Sequence, residues 1–119
     1  MQSLSDLERA VLAAIVDQVP EWGEALRQQV MSATVTEREN TGAGFYTKLA
    51  VTGGQKLVGV TSPIGDVGAD IEAMSRGMGF LLWMKDGVAD TLEGYTYDDT
   101  TAGLELTALR FRSVGPRSV

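Results

Sequence analysis

Two glutamates are the candidates for chemistry, because each is predicted to lie beside an aromatic ring. Glu93 falls across from Phe80 in one predicted strand pair, and Tyr95 shares its face. Glu37 falls across from Phe45 in another. A carboxylate that loses hydration beside apolar groups has a raised pKa, which suits acid–base chemistry. The candidate ligand-binding residues are therefore Glu93, Phe80, Tyr95, Glu37 and Phe45. The alternative is a structural role, in which each glutamate pairs with an arginine or a hydroxyl, or lies at a solvent-exposed edge of the sheet.

Missing residue types limit the chemistry further. The chain has no cysteine and no histidine. It therefore lacks thiol nucleophiles, disulfides and thiolate metal ligands, together with the commonest general base. We predict no catalytic residue, no cofactor and no tight transition-metal site. A site for a metal with oxygen ligands, such as Mg²⁺ or Ca²⁺, is not excluded.

A Gly-x-Gly-Phe pattern occurs twice, at residues 42–45 and 77–80. A dinucleotide fingerprint needs a third glycine and a following helix, and neither is present. The glycines instead indicate bulges or the close approach of a packed element. In the predicted pairing Gly79 lies opposite Gly94, which leaves a hollow in the sheet for a helix side chain or a ligand.

The charge balance bears on the partner. Sixteen acidic and ten basic side chains give a formal net charge of −6. Binding of nucleic acid or of an anionic membrane needs a basic patch, so neither is expected as the main partner. Residues 86–105 carry six acidic residues and no basic one, which fits either a surface for a cationic protein partner or a solvated edge. The sequence contains no long apolar run, so we expect a cytoplasmic protein that neither spans nor binds a membrane.

Two helices are predicted in the first thirty residues. Ser5 and Glu8 have the spacing of a capping box, which satisfies free amide groups at a helix start. Pro20 ends this helix and opens the next. Apolar residues recur at helical spacing in both helices. They are Leu7, Val11, Ala14 and Ile15 in the first, and Trp22, Leu26 and Val30 in the second.

Two hairpins follow in the pattern. Residues 31–36 and 45–51 alternate with period two around the loop 40–42, where Gly42 supplies a positive φ. This loop sets Glu37 opposite Phe45. Asp86-Gly87 signals a two-residue turn, whose regular continuation sets Phe80 opposite Glu93. Further strands are predicted around residues 67–72 and 104–112, with a short strand or loop at 57–60.

These elements predict a single α+β domain over residues 1–114, with residues 115–119 as a frayed tail. An N-terminal helical pair packs on a curved, mainly antiparallel sheet of five to six strands. The strand around Leu81 and Trp83 is apolar on both faces, which is typical of a central strand covered twice. Two short helices cover only part of one face, so either the sheet curls around them or a second subunit covers the rest; the latter predicts a homodimer.

Several short motifs carry a resemblance. Residues 77–97 contain GMGF, KDG and LEGYTY, and residues 38–47 contain Arg38-Glu39 followed by Gly42, Gly44, Phe45 and Thr47. On these motifs, the chain from about residue 30 to about residue 100 resembles small bacterial hypothetical proteins, and an origin in a mobile gene cassette suits this resemblance. The resemblance implies no activity and no site residue.

Two classes of function remain. The first is a non-catalytic binding or protein-interaction module, of an accessory or immunity type. The second is a small-ligand-binding protein or an enzyme, which uses a carboxylate in an apolar cavity. That cavity would be lined by Phe45, Phe80, Tyr95 and Glu93. A deep apolar pocket with converging polar groups would favour the second class. A filled core with a flat acidic surface would favour the first.

Overall fold

The computed structural model describes residues 2–117, which contain two α-helices and six β-strands. The helices are α1 (Asp6–Gln18) and α2 (Gly23–Ser32), with a 3₁₀ turn at Pro20–Trp22 between them. The strands are β1 (Thr34–Asn40), β2 (Gly44–Ala50), β3 (Ile64–Ile71), β4 (Met78–Lys85), β5 (Val88–Thr96) and β6 (Phe111–Pro116). A second 3₁₀ turn, Leu106–Ala108, precedes β6.

All strands belong to one open antiparallel sheet in the order β1-β2-β5-β4-β3-β6. The helices pack on one face of it. The predicted α+β class, the N-terminal helical pair and the antiparallel sheet are confirmed. In this order β5 joins two hairpins, because it pairs with β4 across a turn and with β2 from much earlier in the chain.

The start of α1 is fixed as the sequence predicts. The Ser5 hydroxyl accepts a hydrogen bond from the Glu8 amide at 3.1 Å, and the Glu8 carboxylate accepts one from the Ser5 amide at 2.8 Å. The inward face of the helix carries Leu7, Val11 and Ile15, all buried. Each such side chain contributes about 1.5–3 kcal/mol through burial.

The second helix runs two residues further than the change of period at Met31 predicts. It ends at Ser32, and β1 begins at Thr34. The physical reason lies in Gln29, which is buried on the inward face of α2. Its amide nitrogen donates to the carbonyl oxygens of Gln55 and Gly87 at 2.7 and 2.9 Å, and its amide oxygen accepts from the Ala89 N–H at 2.9 Å. This side chain ties α2 to the β4–β5 turn, so the helix continues through it.

The core lies between the helices and the sheet face beneath them. Its strand residues include Phe45, Val67, Ile71, Phe80, Leu82 and Leu92. Phe45 and Phe80 meet edge to face, with ring centroids 6.1 Å apart. At the bulge in β3, Gly65 has a φ of +91°, and a Cβ there would lie 2.8 Å from Ile15. Glycine at this position lets α1 approach the sheet.

Both predicted registers are wrong, the first because of its loop and the second because of a β-bulge. In the first hairpin Asn40 pairs with Phe45 across a loop of residues 41–44, which sets Glu37 opposite Lys48; a bulge between Val35 and Glu37 follows further along β1. In the second hairpin the Asp86-Gly87 turn is confirmed, with Lys85 opposite Val88. A bulge at Asp90 then shifts the pairing by one residue. A one-residue shift moves every later side chain to the other face of the sheet.

The consequence is plain at Glu93, which lies opposite Leu81 rather than Phe80. Phe80 faces Gly94, and the predicted Gly79–Gly94 pair does not form. Residues 57–60 form no strand, and the last strand lies at residues 111–116 rather than 104–112. Because β6 pairs with β3 as far as Pro116, residues 115 and 116 are not a frayed tail; residues 118 and 119 lie outside the described part.

Candidate functional site

The sheet face opposite the helices is the candidate surface, here called the open face. Its side chains alternate with the buried core residues along β2, β4 and β5. The strand pairing arranges them in two rows across β1, β2, β5 and β4. One row is Glu39, Tyr46, Glu93 and Leu81, and the next is Glu37, Lys48, Thr91 and Trp83. Directly opposite side chains in such rows lie about 5 Å apart at their Cβ atoms.

The five predicted site residues divide between the two faces of the sheet. Phe45 and Phe80 are fully buried beneath the helices. Glu37, Glu93 and Tyr95 lie on the open face. The cavity that was expected to bring Phe45, Phe80, Tyr95 and Glu93 together is therefore not formed, because the sheet itself separates the two phenylalanines from the other residues.

Glu93 makes a specific contact on the open face. Its Oε1 accepts a hydrogen bond from the Trp83 indole N–H at 2.8 Å. Trp83 lies diagonally across the β4–β5 pair, and its side chain is 39% exposed. The hydrogen bond holds the indole in one orientation while leaving part of the ring surface in contact with solvent. The sequence pattern had placed Trp83 in a doubly covered strand, but only the Phe80 side of β4 is covered by the helices.

A shallow groove of about 480 Å³ runs along β1, β2, β5 and β4 beside this pair. We call it the acidic groove. Its walls include the aromatic rings of Tyr46 and Trp83, the carboxylates of Glu37, Glu39 and Asp90, and the ammonium groups of Lys48 and Lys85. Within the described part of the chain none of these charged groups forms an ion pair within 4 Å. The carboxylates of the groove are thus available to a partner.

Tyr95 has a structural place on the open face. Its ring covers Gly79, where a Cβ would lie 2.3 Å from the Tyr95 Cζ atom. The hollow that was predicted at Gly79 is therefore filled by an aromatic ring of the neighbouring strand, and not by a helix side chain or a ligand. Burial, followed by the adjacent Tyr97 phenol, raises the pKa of Tyr95 to about 12. Arg117 lies beside it and donates towards its hydroxyl at 3.5 Å.

The most buried ion pair of the described residues lies on the other face and was not predicted. Glu8, the capping-box residue, has no exposed surface and forms a bidentate pair with Arg38 at 2.7 and 3.0 Å. The Thr47 hydroxyl donates to the same carboxylate at 2.6 Å. Burial alone would raise the pKa of Glu8, but hydrogen bonds from Arg38, the Ser5 amide and Thr47 lower it below its ordinary value of 4.5. With every oxygen occupied, this group is structural.

The sequence contains one indication of the inward position of Arg38 and one of the acidic groove. Arg38 stands among the alternating residues of β1, and a bulge at Thr36 turns it inward beside Thr47. Tyr46 and Lys48 alternate with buried residues of β2, which is the pattern of a half-exposed strand. The signal at Arg38 could not be read without knowing where the bulge in β1 lies.

No three acidic side chains among residues 2–117 are arranged to hold a metal ion. Neither helix in this range combines the length and the apolar character needed to cross a bilayer. No family model, curated protein or solved structure matched the chain.

Proposed function

We propose that this chain is a non-catalytic protein-interaction module, of an accessory or immunity type, that binds a cationic protein partner through its open face. The observation that carries the proposal is the acidic groove: a part-exposed, hydrogen-bonded Trp83 stands among carboxylates that have no ion pair in the described chain. Tryptophan and tyrosine are enriched in the energetic centres of protein interfaces. A cytoplasmic location and a bacterial, cassette-borne origin are parts of the same proposal.

Charge favours a basic partner over a second copy of the chain. Around the groove, Glu37, Glu39, Asp90 and Glu93 stand against two lysines. Two such faces brought together would place like charges in contact, which costs free energy as water is excluded. A basic surface would instead neutralise the excess carboxylates and would be steered towards them.

A second function is supported by the volume of the groove. Its 480 Å³ lies within the roughly 300–1,000 Å³ range of small-molecule sites, so a small cationic ligand is the alternative occupant. Against a carboxylate that acts in an apolar cavity stands the Trp83 hydrogen bond, which already occupies one oxygen of Glu93. The groove is also open along its length, whereas enclosed sites bury most of a small ligand.

The proposal can be tested by selecting a displayed library of random peptides on three immobilised proteins. These are the unmodified chain, the open-face variant Glu37→Lys/Glu39→Lys, and the control Glu21→Lys/Glu24→Lys. The control reverses the same number of charges on exposed positions of the helical layer. We expect peptides rich in lysine and arginine to be enriched by the unmodified chain and the control, and not by the open-face variant. Equal enrichment by all three proteins, or no enrichment of basic peptides, would contradict the proposal.

A further inference from the structure

We infer that the acidic groove is a pocket for an arginine side chain of the partner, whose guanidinium stacks on the Trp83 indole and donates to the Glu93 carboxylate. This inference rests on the proposed function and adds the chemical identity of the group that is recognised. It follows from three features of the groove: the fixed indole, the unused acceptor oxygens and the excess of negative charge.

The indole is held ready for stacking before any partner arrives. The Trp83 N–H donates to Glu93 Oε1 at 2.8 Å, which restricts rotation of the ring. The ring is nevertheless 39% exposed, so its surface is accessible. A cation over a tryptophan face is attracted by the ring quadrupole, and the attraction is largest for this residue type. Because the ring is fixed beforehand, little side-chain entropy is lost when the cation binds.

The carboxylates beside the indole have unused capacity. Among the described residues, Glu93 Oε2 accepts no hydrogen bond, and Asp90 accepts one from the Thr91 hydroxyl at its Oδ2 alone. Glu37 and Glu39 belong to the same two rows and line the same groove, but they lie on β1, three strands away from Trp83 on β4. A group with several donors in a plane could therefore stack on the ring and still reach a carboxylate at the edge of that ring.

Arginine fits this arrangement better than lysine. Its guanidinium is planar, presents five donors in a fixed fork and is weakly hydrated, so it stacks on aromatic rings while it donates to carboxylates. The lysine ammonium is a strongly hydrated point charge that gains less from the ring surface. Lys48 and Lys85 flank the groove, so an incoming cation must gain from specific contacts as well as from net charge.

The experiment compares two capped ten-residue peptides, alternating Gly-Arg and alternating Gly-Lys, which have the same length and charge. Trp22→Phe removes the other tryptophan, so that fluorescence reports on Trp83 alone. We expect the arginine peptide to bind about fivefold more tightly than the lysine peptide and to change the Trp83 emission. The variant Trp83→Leu lacks this emission, so its binding is measured by isothermal titration calorimetry; it should bind both peptides equally and weakly. Glu93→Gln, which keeps the side-chain shape, should also reduce the preference for arginine.

Each outcome decides a different point. Equal affinities of the unmodified groove for the two peptides would overturn the arginine pocket and leave a charge-driven open face in place. Binding of neither peptide would overturn the pocket, and the peptide selection above would still decide the proposed function. A dimer that dissociates on Trp83→Leu substitution would also overturn the inference, because a second copy would then occupy the groove. Thermal melts show whether each variant is folded. If Trp83→Leu is unfolded, Glu93→Gln alone tests the preference for arginine.

Discussion

At the scale of single residues, Glu8 shows how one side chain can serve two purposes. It completes the cap of α1 and, with the same carboxylate, compensates the charge of Arg38. The Arg38 side chain is only 9% exposed, so its guanidinium depends on this partner. A buried pair with all its hydrogen bonds made is tolerated, but loss of one member strands the other.

We therefore expect Glu8→Gln to destabilise the fold by about 3 kcal/mol, because the Arg38 charge is left without compensation in the interior. Urea denaturation followed by circular dichroism measures the change. Asp6→Asn is the matched control: its carboxylate is exposed in the same helical turn and should alter the free energy of unfolding by less than about 0.5 kcal/mol. Equal effects of the two substitutions would contradict a buried, structural Glu8.

The same pair predicts an acid limit of stability. The pKa of Glu8 is lowered in the folded state, so on acidification the unfolded chain takes up the proton first. The stabilisation from Glu8 is complete above its ordinary pKa of 4.5 and is lost as the pH falls through the lower folded-state value. Urea midpoints measured from neutrality downwards should decline in this window, and less steeply in Glu8→Gln.

Tyr95 gives a matching prediction at alkaline pH. Its pKa of about 12 means that the folded chain keeps this phenol protonated above the ordinary value of 10.0. The corresponding stabilisation is present below pH 10 and is lost as the pH rises through about 12. Near-ultraviolet titration should show a late ionisation that is absent in Tyr95→Phe. A late ionisation that persists in Tyr95→Phe would show that the raised pKa belongs to another group.

At the scale of elements, the sequence predicted what depends on local pattern. The α1 cap, the proline between the helices and the Asp86-Gly87 turn all follow from neighbouring residues. The register of the second hairpin failed because a β-bulge breaks the period of two, and that of the first failed because its loop spans residues 41–44 rather than 40–42. Ala89 and Leu92 are three positions apart, so a regular strand would place them on opposite faces. Both are buried, which only an irregular strand allows. That spacing was the available signal, and it would have placed Glu93 on the open face.

The predicted end of α2 was wrong for a different reason. Residues 31–36 alternate like a strand, but the helix is held by the distant contacts of Gln29. Such contacts join residues far apart in the chain, and no local pattern reports them. The candidate site was predictable only in part: Glu37, Glu93 and Tyr95 share a face, whereas the importance of Trp83 and Tyr46 depends on pairing across three strands.

Gln29 therefore carries a prediction for the elements that it joins. Gln29→Leu keeps the approximate shape but leaves the Ala89 N–H and the Gln55 carbonyl without their side-chain partner, so we expect a loss of about 3 kcal/mol in the free energy of unfolding. Amide hydrogen exchange at Ala89 should accelerate as well. Gln28→Ala, an exposed neighbour, is the control and should change stability little. An unchanged Ala89 exchange rate would show that the Gln29 contact does not hold the hairpin.

At the scale of the whole molecule, the strand pattern of β4 led to the prediction of a homodimer, because both of its faces carry apolar residues. The helices cover one face, and Leu81 and Trp83 lie on the other. Whether a second copy covers them stays a prediction. The excess of carboxylates around Trp83 argues against it, since two such faces repel each other.

Light scattering at micromolar protein concentration separates these alternatives. We expect a single 12.7 kDa species at low salt, because like charges on the open face are then least screened. A dimer that persists at low salt and is lost in Trp83→Leu would restore the sequence-based prediction. The control Met31→Ser, an exposed apolar residue on the helical layer, should leave the molecular mass unchanged.

The place of β5 between β2 and β4 also dictates an order of events when the chain folds. The β4–β5 hairpin closes over two residues, whereas Gly44 must find Tyr95 across half of the chain. Short loops close at lower entropic cost, so we expect the β4–β5 hairpin to form first. The pairing of β2 with β5, here called the seam, should form late. Substitution of Gly87 should then slow refolding, while Thr47→Val, in the seam, should mainly accelerate unfolding. Stopped-flow measurements in urea would distinguish the two, and a refolding rate that is insensitive to Gly87 would reverse the order.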